Sequence, residues 1–157
     1  MSFPNLLLDN QLCFALYSAT NAITRYYRFY LKELGITYSQ YLVLIALWEG
    51  NCKNLSDIGK MLKLDLPTIT PILQKLEIMN LIKKSRSSED ERIVIVELTQ
   101  KGIDLEEEVA AIQDKVACKT GLAKAEFNTL KATLNDLTDA MEINATDVKD
   151  LKLNHCK

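Results

Sequence analysis

Residues 64–81 read LDLPTITPILQKLEIMNL, and the two faces of this stretch decide the fold. Asp65 stands at an N-cap position, where its carboxylate can accept from free backbone N–H groups, and Pro67 falls in the first turn, where a missing N–H costs nothing. Ile69, Ile72, Leu73, Leu76 and Met79 recur at helical spacing and make an inner face. Thr68, Thr70, Pro71, Gln74, Lys75 and Ile78 are left outside, and Pro71 lies near enough to the helix start to be tolerated.

Working upstream, NLSDIGKMLKL (54–64) is a short helix with Asn54 as its cap and Leu55, Ile58 and Leu62 facing inward. Before it, ITYSQYLVLIALWEG (36–50) is apolar nearly all round, which predicts a buried helix ending at Gly50. Asn10 to about Leu34 reads as one long helix, capped by Asp9 or Asn10 and stopped by Gly35; Leu12, Leu16, Ala19, Ile23, Tyr26, Tyr27 and Tyr30 recur near helical spacing.

Downstream the texture changes. LIKKSRSSEDERIVIVELT (81–99) has two short runs, Leu81–Lys84 and Ile93–Leu98, separated by a charged tip, which is a hairpin signal. Two more helices are expected at about Gln100–Cys118 and Lys124–Glu142, then a polar tail at 144–157 that is expected to be loose. The expected fold is mainly α with a small β-hairpin.

Two short helices joined by a tight turn, followed by a hairpin, is the order of a winged helix-turn-helix. The second helix would enter a major groove, with Thr68, Thr70, Pro71, Gln74 and Lys75 reaching base edges or phosphates. Arg86 and Arg92 at the hairpin tip would reach the adjacent minor groove, with Asp90 orienting the Arg92 guanidinium. The expected organisation is a DNA-binding domain at 36–99, with 1–35 and 100–143 as a helical dimerisation region.

Composition sets the bounds. The chain has 157 residues, is 48% hydrophobic and carries a net charge of −2, enough for one domain with a real core. Nine Lys/Arg against seven Asp/Glu fall in residues 53–101, and seven against eleven in 102–157, so the middle third is the basic part. No apolar run approaches the roughly 18 residues of a membrane helix, and MSFPNLLLDN lacks the marks of a signal peptide. The expected location is the cytoplasm, where Cys13, Cys52, Cys118 and Cys156 would be reduced thiols. No CxxC is present and the one histidine is His155, which argues against a zinc site and against catalysis by a histidine base. No cofactor is expected.

DNQLCFALYSA (9–19), ITYSQYLVLIALWE (36–49), LDLPTITPILQKLE (64–77) and SEDERIVIVELTQKG (88–102) together resemble the MarR family of dimeric winged-helix repressors. The first of these narrows the resemblance to its organic hydroperoxide resistance branch, over roughly residues 5 to 140. The resemblance implies a peroxide-reactive cysteine at Cys13, tyrosines that hydrogen-bond it at Tyr27 and Tyr38 with Tyr17 as a weaker match, and a second, resolving cysteine at Cys118. One departure stands out: Leu66-Pro67 occupies the place where members often carry Ser-Gly.

The chemistry is consistent with those residue types. A thiolate attacks a peroxide, and a cysteine near the start of a helix meets unpaired N–H groups that favour negative charge. Leu12, Phe14 and Leu16 make an apolar mouth suited to an organic hydroperoxide. Tyr27 lies fourteen residues after Cys13, about 21 Å along a straight helix, so a bond between them must run between subunits of a homodimer. The expected function is a redox-sensing repressor. Its reduced dimer would bind a palindromic double-stranded DNA operator, and oxidation of Cys13, then an intersubunit disulfide to Cys118, would release it. Two rivals are a repressor released by a non-covalent aromatic ligand and a thiol peroxidase using Cys13; the chain is expected not to be an enzyme.

Overall fold

The computed structural model describes residues 3–141, and two compact units divide the chain after Val116. Two short 3-10 turns, Pro4–Leu6 and Leu8–Asn10, open the first unit and lead into α1 (Leu12–Leu31). The helix is shorter at both ends than its periodicity predicts. Its N-cap is Gln11, which makes no side-chain cap hydrogen bond, rather than Asp9 or Asn10. The reason is that both amides point backward: Asn10 Nδ2 donates to the Pro4 carbonyl at 2.8 Å, and Gln11 Nε2 donates to the carbonyls of Asn5 and Leu7. At the other end Gly35 takes φ 70, and the Ile36 N–H returns to the Leu31 carbonyl at 3.1 Å.

Thr37 and Gln40 form a reciprocal capping box at the start of α2 (Tyr38–Trp48). With apolar side chains on all sides, α2 buries Val43, Leu44 and Leu47 completely and runs through the middle of the core. Asn54 caps α3 (Leu55–Leu62) by accepting from the Asp57 N–H at 2.8 Å. A left-handed Lys63 (φ 52) then turns the chain directly into α4 (Leu66–Ile78). Asp65 caps α4 as expected, Ile69, Leu73 and Leu76 are fully buried, and Ile72 and Met79 pack at the margin. Asn80 (φ 58) ends that helix, with the Leu81 N–H bonded to the Leu76 carbonyl at 3.0 Å.

The hairpin consists of β2 (Ile82–Arg86) and β3 (Val94–Leu98), antiparallel, with Ile82 opposite Leu98 and Arg86 opposite Val94. A strand not expected from the pattern, β1 (Cys52–Asn54), pairs on the other edge of β3, so the sheet order is β1-β3-β2. Three residues wedged between a glycine turn and a helix cap carry too little alternation to be read as a strand.

One predicted helix becomes two. The segment after Thr99 divides at Leu105 into α5 (Gln100–Asp104) and α6 (Glu106–Lys119). Gly102 explains why the chain is held so tightly here: a Cβ on it would lie 2.1 Å from the Leu81 carbonyl oxygen. Its own carbonyl accepts from Trp48 Nε1 at 3.0 Å. In α6, three glutamates at the positive N-terminal end precede Val109, Ile112 and Val116, which face the core. The second unit contains the end of α6 and α7 (Lys124–Ala140), where Glu126 accepts from the Ala123 N–H at 2.8 Å. No residue of α7 is buried. The tail at 144–157 lies outside the described residues.

Candidate functional site

Of the α4 residues expected to reach DNA, Thr70 is half-buried and the other four form an outward face. Thr68, Pro71, Gln74 and Lys75 are exposed and recur at spacings of three and four, so they share one side of the helix. The hydroxyls are not free donors. The Thr68 hydroxyl and then the Thr68 backbone N–H hydrogen-bond the Asp65 carboxylate and hold it below the usual carboxylate range. The Thr70 hydroxyl donates to the Leu66 carbonyl at 2.7 Å. Both threonine protons are therefore engaged within the helix, which leaves these hydroxyls only lone pairs for a ligand's donor.

At the hairpin tip, Asp90 does something different from what the sequence suggests. Its Oδ1 accepts from the backbone N–H of Arg92 at 2.9 Å, an Asx-type turn, instead of engaging the guanidinium. The Ile93 N–H closes onto the Asp90 carbonyl at 2.9 Å, and Arg86 Nη1 donates to the Glu91 carbonyl at 3.1 Å. Asp90 thus shapes the tip, Arg86 braces it, and the exposed Arg92 side chain projects from it.

Cys13 is the second residue of α1, exposed and a free thiol. Leu12 and Phe14 beside it are exposed at 61% and 38% while Leu16 is half-buried, so the sulfur opens onto an apolar surface. Tyr17, one turn along, is exposed at 65% and is not in the aromatic cluster farther down the helix.

That cluster unites Tyr27, Tyr38 and Tyr41. Ring centroids are 5.2 Å apart for Tyr27–Tyr38, 4.9 Å for Tyr27–Tyr41 and 5.6 Å for Tyr38–Tyr41. The Tyr41 and Tyr27 hydroxyl oxygens are in hydrogen-bond contact at 3.3 Å. Burial first, then the hydrogen bond to Tyr27 and the neighbouring phenols, push Tyr41 well above an ordinary phenol. Burial and then Tyr27 push Tyr38 up as well. Both stay protonated at physiological pH and keep their O–H donors. Tyr41 was the residue missed; the signal was its place one turn after Tyr38 on a helix apolar all round, where a phenol hydroxyl needs a partner.

The Cys13–Tyr27 separation expected from sequence carries over, since both lie on the uninterrupted α1. Cys118 stands in the last turn of α6, exposed and a free thiol. Cys52 falls in β1, and Cys156 and His155 lie outside the described residues. Among the described residues no cluster of His, Cys, Asp or Glu could hold a metal ion, and no helix is long and apolar enough to cross a membrane.

A capped reading helix behind a short turn, backed by a three-stranded sheet with a braced, charged tip, defines a winged-helix transcriptional regulator. A family model described as transcriptional regulator SarA/Rot matches residues 25–109. The organic hydroperoxide resistance transcriptional regulator of Bacillus subtilis (strain 168) is 37% identical over 139 residues, spanning 88% of this chain and 95% of that protein. Among solved structures, AbfR of Staphylococcus epidermidis is similar in more than one state. Reduced AbfR bound to DNA is 36% identical with a TM-score of 0.73, covering 85% of this chain and 92% of that one. Disulfide-formed AbfR is 36% identical with a TM-score of 0.60, covering 85% and 89%. The chain belongs to the MarR-like SarA/Rot family of winged-helix transcriptional regulators, on the side of the organic hydroperoxide resistance regulators.

Proposed function

We propose that this protein is a homodimeric repressor whose DNA binding is set by the oxidation state of Cys13. In the reduced dimer, residues 36–99 of each subunit present α4 to one half of a palindromic operator, with half-sites about one helical turn apart, roughly 34 Å. Residues 1–35 and 100–143 hold the subunits together. Supporting this, Phe3, Leu6, Leu7, Leu8 and Leu12 are all exposed, a run of apolar residues along the N-terminal segment that calls for a cover.

The observation that carries the reading is the exposed thiol at the second position of α1, in a first turn that no side chain caps. The thiolate attacks the outer oxygen of an organic hydroperoxide; the O–O bond breaks, an alcohol leaves after taking up a proton, and Cys13 becomes a sulfenic acid. The Cys118 thiol of the other subunit then displaces water and forms an intersubunit disulfide. Bringing two sulfurs to about 2 Å demands specific Cα spacing, so the helices shift and half-site spacing is lost.

The test is a gel shift on the DNA upstream of the protein's own gene, reduced and after one equivalent of cumene hydroperoxide, with non-reducing electrophoresis alongside. Loss of retardation together with a disulfide-linked dimer supports the reading. Full retention after complete oxidation removes it. A second reading, release by a non-covalent aromatic ligand, is favoured by a hollow lined by Tyr41, Ile45, Trp48 and Val109. Glu49 and Glu106 also line it, so it suits a neutral or cationic aromatic rather than an acid. Cys13→Ser separates the two: it abolishes a hydroperoxide response and leaves a ligand response intact.

A further inference from the structure

We propose that Tyr41 is a positioning residue for the redox reaction, a buried donor that fixes the Tyr27 hydroxyl so that its proton points out of the cluster toward the sulfur. The inference rests on the reading in which Tyr27 meets Cys13 of the other subunit, and it adds a residue to that reading.

A phenol has one proton and two lone pairs. Left alone, Tyr27 could spend its proton inward, on the Tyr41 oxygen, and present only lone pairs to an anion. The two hydroxyl oxygens lie 3.3 Å apart, and burial sets the direction: Tyr41, the more buried phenol, donates and Tyr27 accepts. Tyr41 is only 3% exposed, so its proton has little water to turn to, and its ring is pinned against both Tyr27 and Tyr38. Tyr27 is half-buried and lies at the margin of the core, so its remaining O–H has an outward course. Donation from Tyr41 also polarises the Tyr27 O–H and strengthens the bond it makes in turn. Burial and the bond to Tyr27 push Tyr41 above the ordinary phenol value, which keeps it a donor at every pH the protein meets.

Tyr41→Phe retains the ring and removes the donor. The expected result is oxidation of Cys13 by cumene hydroperoxide about threefold slower, a smaller thiolate ultraviolet absorbance at neutral pH, and unchanged operator affinity of the reduced protein. Tyr41→Met, a second apolar replacement, gives the same rate ratio. Because Tyr41 acts through Tyr27, the double variant Tyr27→Phe/Tyr41→Phe oxidises no more slowly than Tyr27→Phe alone. Wild-type rates in both Tyr41 variants, or additive losses in the double variant, overturn the inference. Cys13→Ser tells the two failures apart. If it still loses DNA on hydroperoxide treatment, the sensing reading falls and this one with it. If it is blind while Tyr41→Phe oxidises normally, only the role of Tyr41 is refuted.

Discussion

Gly102→Ala tests whether the passage from wing to last helices is as tight as its geometry states. The added Cβ would lie 2.1 Å from the Leu81 oxygen and 3.1 Å from Leu98 Cδ2. The Leu81 oxygen is main chain and already accepts from the Thr99 N–H at 3.1 Å, so no flexible side chain can give way. The two backbones must part by more than about 1 Å in a close-packed region. Overpacking of this kind costs about 1–3 kcal/mol. The same movement pulls the Gly102 carbonyl from Trp48 Nε1, a bond of 3.0 Å that contributes about 1 kcal/mol. The sum is about 2–4 kcal/mol, a fall in melting midpoint of about 5–15 °C. The assay is a circular-dichroism melt at fixed protein concentration, since a dimer's midpoint depends on it. Gly121→Ala is the control: Gly121 has φ 70 but nothing within 4 Å of its missing Cβ, so only left-handed strain of about 1 kcal/mol applies. If Gly102→Ala melts no lower than Gly121→Ala, the steric reasoning is wrong.

Three further outcomes are expected. The folded pKa of Asp65 is depressed, so its capping contribution is present above the unfolded value of 3.8 and is lost as pH falls through the lower folded value; the melting gap between wild type and Asp65→Ala, clear at pH 7, should close on acidification, and a gap constant with pH would refute the cap. Lys75→Ala should weaken operator binding and lower the slope of log affinity against log salt by about 1 if the ammonium meets a phosphate; an unchanged slope would remove that contact. Mixed dimers of Cys13→Ser and Tyr27→Phe subunits contain one Cys13, facing an intact Tyr27 only if the pair forms across the interface. That thiol should oxidise at the wild-type rate, and the slower rate of the Tyr27→Phe homodimer would place the pair within one chain.

Much of this was readable from residue types and spacing. Asp65, Asn54 and the apolar rows of α2 and α4 specify the reading unit locally, because each cap and each buried face is encoded within one or two turns. What escaped depends on distant partners. β1 exists because β3 offers it an edge, with Lys53 opposite Val96. Near the break at Leu105, Gly102 closes on Leu81, twenty-one residues earlier in the chain. The uncapped start of α1 could not be foreseen from Asp9 and Asn10, which are ordinary cap residues, since it depends on two amides turning back onto the preceding turns. Likewise Asp90 and Arg92 suggest an ion pair by type, but a separation of two residues favours the backbone N–H as acceptor's partner.

The same amides connect fold to chemistry. Gln11 and Asn10 spend their side chains tying down the apolar N-terminal turns, and α1 begins with bare N–H groups where Cys13 stands. A conventional Ser or Asp at position 11 would stabilise the helix by about 1 kcal/mol but would occupy the N–H groups beside Cys13. Under the proposed function, the N-terminal segment therefore gives up helix stability for reactivity. In the proposed dimer its exposed apolar residues would recover the loss under a second subunit, at about 1.5–3 kcal/mol for each large side chain fully buried. In that reading a sensing thiol at the boundary would be oxidised inside the very contact that spaces the two reading helices, and one sulfur's chemistry would govern DNA binding by residues on the other side of the core.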